Sequence, residues 1–91
     1  MKLADELPDK AVITTHYVLS TGSAITYVSY DEDGDWQFFG NEDVEEKDAR
    51  VMSVKQIIDL DPTLKDLPDM QPSQSASRMD VESKWVVEDI T

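Results

Sequence analysis

The strongest constraint on the fold of this chain is a pair of β-rich runs joined by a short acidic turn. Residues 24–30 read Ala-Ile-Thr-Tyr-Val-Ser-Tyr, and residues 36–39 read Trp-Gln-Phe-Phe. An Asp-Gly pair, ending in Gly34, lies between them. Because Asp-Gly between two β-rich runs is a strong short-range signal for a β-hairpin, the sequence predicts a hairpin here.

The side chains of this hairpin are expected to form the centre of the core. Trp36 and Phe38 are two residues apart and therefore share one face of their strand. We expect them to pack against Ile25 and Tyr27 of the first strand, which also share a face.

Weaker signals extend the hairpin into a small sheet. Residues 11–14 and 50–52 are short apolar or β-branched runs, and both predict strands. Residues 85–90 begin with a tryptophan and two valines, which are too costly to leave in water, so this segment is predicted to dock as an edge strand. Residues 15–19 fit either an extension of the first strand or one helical turn capped by Thr15, and the turn is favoured.

The segment 54–67 is predicted to form two short helical pieces. Ser53 and Gln56 have the spacing of a capping box, in which each side chain bonds a backbone N–H of the first turn. Pro62 then interrupts the helix, since the residue before a proline is pushed out of the α region. One apolar stripe joins the two pieces, and it consists of Ile57, Leu60, Leu64 and Leu67.

These elements predict one small α+β domain. We expect residues 1–10 to be a flexible leader outside the core and residues 11–91 to form the domain, with a mobile surface loop over the polar segment 69–83. The predicted architecture is an antiparallel sheet of about four strands with the short helical pair packed on one face.

The charge of the chain excludes several classes of partner. Eight basic and twenty acidic residues give a net charge of −12. This field opposes direct binding to nucleic-acid phosphates or to anionic lipid, and it leaves basic proteins as favoured partners. No run approaches the roughly 18 apolar residues of a membrane helix, and no apolar signal segment follows Met1, so we expect a cytoplasmic protein.

Nine of the twenty acidic residues lie between positions 31 and 48. An EF-hand calcium loop aligned on Gly34 fails, because its position 12 is Gly40 rather than Glu. Three interpretations stay open: weak binding of a divalent cation by clustered carboxylates, a docking face for a basic protein, and a solvated loop that keeps the hairpin soluble. The candidate partner-binding residues are Asp31, Glu32, Asp33, Asp35, Glu42, Asp43, Glu45 and Glu46.

No motif in the sequence indicates catalysis. His16 is the only histidine and there is no cysteine, so a Cys-His couple and a zinc-thiolate site are excluded. There is also no Gly-x-Ser-x-Gly elbow and no phosphate-binding P-loop. We therefore expect a protein that is not an enzyme, with no catalytic residue, no metal and no cofactor.

Several of these segments together resemble a family of small bacterial proteins of unassigned function. The resemblance lies in residues 12–15 with 18–19, in residues 25–28, in the run Asp-Gly-Asp-Trp-Gln-Phe-Phe-Gly ending at Gly40, and in residues 54–67. Some members of that family are immunity proteins that neutralise bacterial toxins. The resemblance implies binding rather than catalysis, and it transfers no ligand or catalytic residue to this chain.

The function expected from the sequence is thus a non-enzymatic acidic binding module, immunity-like in role, that docks a basic protein. The alternative is an acidic mimic of nucleic acid that occupies a DNA- or RNA-binding protein. Mimicry needs carboxylates in two rows along an elongated body, whereas docking needs them gathered beside the hairpin.

Overall fold

A computed structural model describes residues 1–90 and has an α+β fold in which a six-stranded mixed sheet carries short helices on one face. Two α-helices and three 3-10 helices accompany the strands within these residues. The strands are β1 (Ala11–Thr15), β2 (Tyr27–Tyr30), β3 (Trp36–Phe39), β4 (Ala49–Ser53), β5 (Gln74–Ser77) and β6 (Val86–Asp89). The helices are α1 (His16–Ser20) and α2 (Val54–Leu60), with 3-10 helices at Leu3–Asp5, Glu46–Asp48 and Pro62–Asp66.

The sheet order is β4-β1-β3-β2-β5-β6, and β1 and β3 are parallel while all other neighbours are antiparallel. The α+β class is confirmed, but the expected purely antiparallel sheet of about four strands is wrong. The chain reverses after α1, so β2 runs opposite to β1, and the hairpin partner β3 returns in the direction of β1. Because β3 inserts beside β1, the two must be parallel.

The predicted hairpin is present as β2 and β3. Asp31 Oδ1 accepts hydrogen bonds from the backbone N–H groups of Asp33 and Asp35, at 2.9 Å each, and so organises the turn. Gly34 has φ of +83°, a left-handed conformation that favours glycine. The turn is thus formed by a carboxylate that accepts local N–H groups and a glycine that adopts positive φ.

The register of the hairpin corrects the predicted packing. Tyr27 lies opposite Phe39, while Val28 lies opposite Phe38. Tyr27 is therefore on the face opposite to Trp36 and Phe38, and the expected contact with them is wrong. Alternation along β2 instead directs Val28 and Tyr30 to the core.

The core lies between one face of the sheet, here called the inner face, and the helices. The ring of Trp36 is fully buried and stacks on Tyr30 with ring centroids 4.3 Å apart. All buried strand residues of the hydrophobic core belong to this face. The helices supply Val18, Val54, Ile57 and Leu64, and the segment after the last 3-10 helix supplies Leu67 and Met70. The capping box at the start of α2 and the break at Pro62 are confirmed. Leu60 departs from the predicted stripe, because its side chain is 45% exposed at the end of α2.

The first ten residues contribute to the core, contrary to the expectation of a leader outside it. Leu3 is completely buried, and the Met1 ammonium donates to the Met70 carbonyl at 2.8 Å. Glu6 Oε2 accepts the indole N–H of Trp36 at 3.1 Å. An indole N–H in a core needs an acceptor, and this segment provides it.

The segment expected to be a loop over residues 69–83 contains a strand. β5 pairs with β2 on one side and with β6 on the other, and Ala76 at its centre is fully buried. Its composition, Gln-Ser-Ala-Ser, carries little β-propensity. β5 forms because it pairs on both edges and buries Ala76, and these tertiary contacts cannot be predicted from the local sequence.

We predict that Trp36→Ala lowers the free energy of unfolding by about 3–5 kcal/mol, because it leaves a large cavity under the helices. Tyr27→Ala is the matched control, since Tyr27 is in the same hairpin but is 37% exposed on the other face. Urea denaturation followed by circular dichroism measures both. Equal losses for the two variants would contradict the inner-face core.

Candidate interaction surface

The second face of the sheet, here called the open face, has no helix packed on it. One row of residues crosses all six strands on this face in the order Val51, Ile13, Gln37, Ser29, Ser75, Glu88. None of these residues belongs to the hydrophobic core of residues 1–90. The row therefore spans the width of the sheet on this face, and Ser29 is its one buried member.

The open face is apolar or uncharged over nearly all of its extent. Val51 is 72% exposed, Val86 56% and Tyr27 37%. Tyr27 lies against Phe39 with ring centroids 6.3 Å apart. Among the strand residues on this face, Glu88 is the only charged one, although the chain as a whole has a net charge of −12.

The eight acidic residues singled out from the sequence do not form one face. Asp31, Glu32, Asp33 and Asp35 make up the hairpin acidic group, in the turn before β3. Glu42, Asp43, Glu45 and Glu46 make up the loop acidic group, after the end of β3. The two groups lie at opposite ends of a four-residue strand about 13 Å long. The expected single acidic face is thus divided between the two ends of the sheet.

Some of these carboxylates have local structural roles. Asp31 organises the hairpin turn, as described above. Glu42 accepts a hydrogen bond from the Ser23 hydroxyl at 2.7 Å, and Glu45 pairs with Lys47 at 3.2 Å. A Cβ at Gly40 would come within 2.7 Å of Glu42 Oε1 and 2.9 Å of the Ala24 carbonyl, so only glycine fits this close approach.

The remaining carboxylates are exposed to solvent. They are Glu32, Asp33 and Asp35 in the hairpin acidic group and Asp43 and Glu46 in the loop acidic group. Each end of the sheet therefore presents negative charge beside an uncharged face. This arrangement attracts a cationic surface and does not require the carboxylates to be buried.

The single histidine joins α1 to the segment before β4. His16 Nε2 and Asp48 Oδ1 are 2.8 Å apart, and Asp48 Oδ2 accepts the backbone N–H of Glu45 at 3.0 Å. The Glu45 N–H and then the His16 ring hold the pKa of Asp48 below its ordinary value. Both oxygens of this buried carboxylate therefore stabilise local structure. No local sequence pattern predicts this pair, because its members are 32 positions apart.

We predict that Asp48→Asn lowers stability at neutral pH and that the difference from wild type shrinks as pH falls below about 3.8, the ordinary pKa of aspartate. A carboxylate with a lowered pKa stabilises the fold above its unfolded pKa. That contribution is lost as pH falls through the lower folded pKa.

Urea denaturation over a pH series measures this difference. Asp43→Asn is the matched control, because Asp43 is an exposed aspartate of the same loop. A difference between wild type and Asp48→Asn that stays constant down to pH values well below 3.8 would contradict the role of the Asp48 carboxylate.

A buried arginine connects three segments at the end of the sheet where β5 finishes. The Arg78 side chain is 1% exposed, and it donates to the Ile25 carbonyl, to Thr63 Oγ1 and to Asp61 Oδ2 at 2.9–3.0 Å. The guanidinium carbon lies 4.1 Å from the centre of the Trp85 ring. All three guanidinium nitrogens thus have partners, and the cluster fixes the chain after β5 against the 3-10 helix.

We predict that Arg78→Met lowers the free energy of unfolding by about 3–5 kcal/mol, because it leaves Asp61 half-buried without its cation. Arg50→Met is the matched control, since Arg50 is exposed and its side chain bonds only backbone carbonyls. Guanidinium denaturation of the two variants gives the comparison. Similar losses at both positions would show that the buried contacts of Arg78 contribute little.

The described part of the chain contains no group of three or more His, Asp or Glu side chains placed to hold a metal ion. In the same residues, no helix combines the length and the apolar composition needed to cross a membrane. In comparisons with protein-family models, curated proteins and solved structures, no match to this chain is found.

Proposed function

We propose that this protein is a non-enzymatic binding module that docks a basic protein, with the open face as the contact surface and the two acidic groups at its ends. The observation that carries the proposal is the charge distribution around the sheet. A chain with twenty acidic residues keeps all but one of them, Glu88, off the open face. A partner with an apolar centre and a basic rim complements this surface.

The open face is smaller than a standard protein interface, which supports a role for the two acidic groups in binding. Six strands about 4.8 Å apart, four or five residues long, cover roughly 24 Å by roughly 13 Å, or roughly 300 Å² in projection. A standard interface buries about 800 Å² on each partner. A partner of ordinary size therefore extends past the strands onto one or both acidic groups.

The immunity-like role stays part of this proposal, because neutralising a toxin requires binding and no catalysis. Mimicry of nucleic acid receives less support. Residues 1–90 measure 29 × 28 × 26 Å, so the body is not elongated. The carboxylates of the two acidic groups lie in a turn and a loop rather than in rows along the molecule.

The test is retention of partner proteins from an extract of the producing cells on three immobilised forms: wild type, Tyr27→Ala with Val51→Ala, and Leu7→Ala with Met79→Ala. The last form is the matched control, because Leu7 and Met79 are 71% and 87% exposed and lie outside the open face. Removing two apolar contacts should weaken binding by at least about tenfold.

The expected result is one basic protein that binds wild type and the control but is lost from the open-face variant. Its purified form should associate more slowly as salt rises, because the steering charges are screened. Identical retention by all three forms, or no retained protein at low salt, would refute the proposal.

A further inference from the structure

The sheet has two edges, and their backbone groups differ in availability. β4 pairs only with β1, and β6 pairs only with β5. In an antiparallel ladder the N–H and C=O groups of successive residues point alternately toward the partner strand and away from it. Each edge strand therefore presents every second residue outward.

The edge at β4 is largely closed by local hydrogen bonds. The Val54 N–H donates to the Lys10 carbonyl at 2.9 Å. This bond sets the alternation along β4, so the backbone N–H and C=O groups of Ala49, Val51 and Ser53 point away from β1. The Ala49 N–H donates to Glu46, and the Ser53 N–H donates to Gln56 Oε1 at 2.9 Å. Within residues 1–90, Val51 is the one β4 residue whose outward N–H and C=O both lack a partner.

The edge at β6 is open. The Ile90 N–H donates to the Ser73 carbonyl at 2.8 Å. Because the pattern alternates, the backbone N–H and C=O groups of Glu88 and Val86 also face β5, and those of Val87 and Asp89 point outward. No group in the part of the chain that the structure describes bonds these outward N–H and C=O groups. Two successive outward residues provide four backbone hydrogen-bonding groups in one line.

The charges on β6 select the chemistry of the segment that fits this edge. Glu88 and Asp89 are exposed and negative, and β6 has no basic residue. A second copy of this chain brings another net charge of −12, which opposes pairing of two β6 strands. A basic extended segment has the opposite charge and supplies the missing hydrogen-bonding partners.

We propose that the outer edge of β6 binds an extended basic segment of a protein partner as a seventh strand of the sheet. The basic character of the segment rests on the proposed function, whereas the free backbone groups are independent of it. Backbone hydrogen bonds to Val87 and Asp89 hold the added strand, and Glu88 and Asp89 select lysine or arginine opposite them.

The probe is an acetylated, amidated peptide, Thr-Lys-Lys-Val-Val-Thr, which in antiparallel register places lysines opposite Asp89 and Glu88 and valines opposite Val87 and Val86. Amide hydrogen exchange of the full chain is measured by NMR. At about 90% occupancy, the Val87 and Asp89 amides should exchange about tenfold more slowly, since only the free fraction exchanges. The Val51 amide at the other edge is the internal control and should not change.

Two variants separate strand addition from charge attraction. Val87→Pro removes an outward N–H and none of the hydrogen bonds between β5 and β6, so an edge strand tolerates a proline there. Peptide binding should weaken about fivefold, because one backbone hydrogen bond to the peptide is lost. Val51→Pro is the matched control at the β4 edge and should leave binding unchanged. Glu88→Lys should reverse the preference toward the peptide Thr-Lys-Glu-Val-Val-Thr, whose glutamate lies opposite position 88, and the wild type should bind that peptide more weakly than the lysine peptide.

Each contrary outcome overturns the inference in a distinct way. Equal binding to wild type and Val87→Pro, without protection of the Val87 and Asp89 amides, means that the peptide is held by charge alone; the proposed function survives that result. Protection of these amides that rises with protein concentration, without peptide, identifies a second copy as the occupant. If the lysine peptide does not bind the wild type at all, strand addition is wrong, and the open-face variants still test the proposed function separately.

Discussion

The structure depends on one constraint: a chain of 91 residues has only enough helix to cover one face of its sheet. The six strands are roughly 24 Å wide. An α-helix with its side chains is about 10 Å across, so α1, α2 and the 3-10 helices together cover about that width once. The second face is therefore left to solvent or to another molecule, and the placement of apolar residues, charges and edges follows from this.

The open face exposes more apolar side-chain surface than the stability of the fold requires. In a chain rich in carboxylates, charged residues on neighbouring strands would often face like charges, which destabilises a sheet. Uncharged polar residues in the middle of the face, such as Ser29, Ser75 and Gln37, avoid this like-charge repulsion. The exposed parts of the Tyr27 and Val51 side chains go beyond what the fold requires, because apolar surface left in water does not stabilise the isolated fold. Their presence is the part of the pattern that the proposed binding would explain.

Features set by local sequence were predictable, and features set by tertiary contacts were not. The hairpin turn and the capping box at Ser53 depend on residues within a few positions of each other, so the sequence predicts that both are present. β5 is a strand because β2 and β6 flank it, and the sequence around Ala76 does not contain that information.

The candidate surface was predictable only in part for the same reason. The acidic residues were identified, but their separation by β3 and the exposure of Tyr27 depend on strand register. A shift of one residue in the register of β2 would exchange its two faces, and the local pattern of β2, with apolar residues on both, does not fix the choice. The Arg78 cluster was not predictable from local patterns either, since the hydrogen-bond partners of Arg78 come from two distant segments, at Ile25 and at residues 61–63.

The two sheet edges connect the charge of the chain to its association behaviour. Local hydrogen bonds at Ala49 and Ser53 close β4 regardless of pH or salt, because they are made by neutral groups. β6 has no such bonds and depends on Glu88 and Asp89 to oppose pairing with another acidic strand. Protection by charge is selective, since the carboxylates that repel a second copy attract a basic strand. For an acidic chain with one edge largely closed by hydrogen bonds and the other flanked by carboxylates, this selectivity is the physical basis for proposing a basic strand rather than a second copy as the partner.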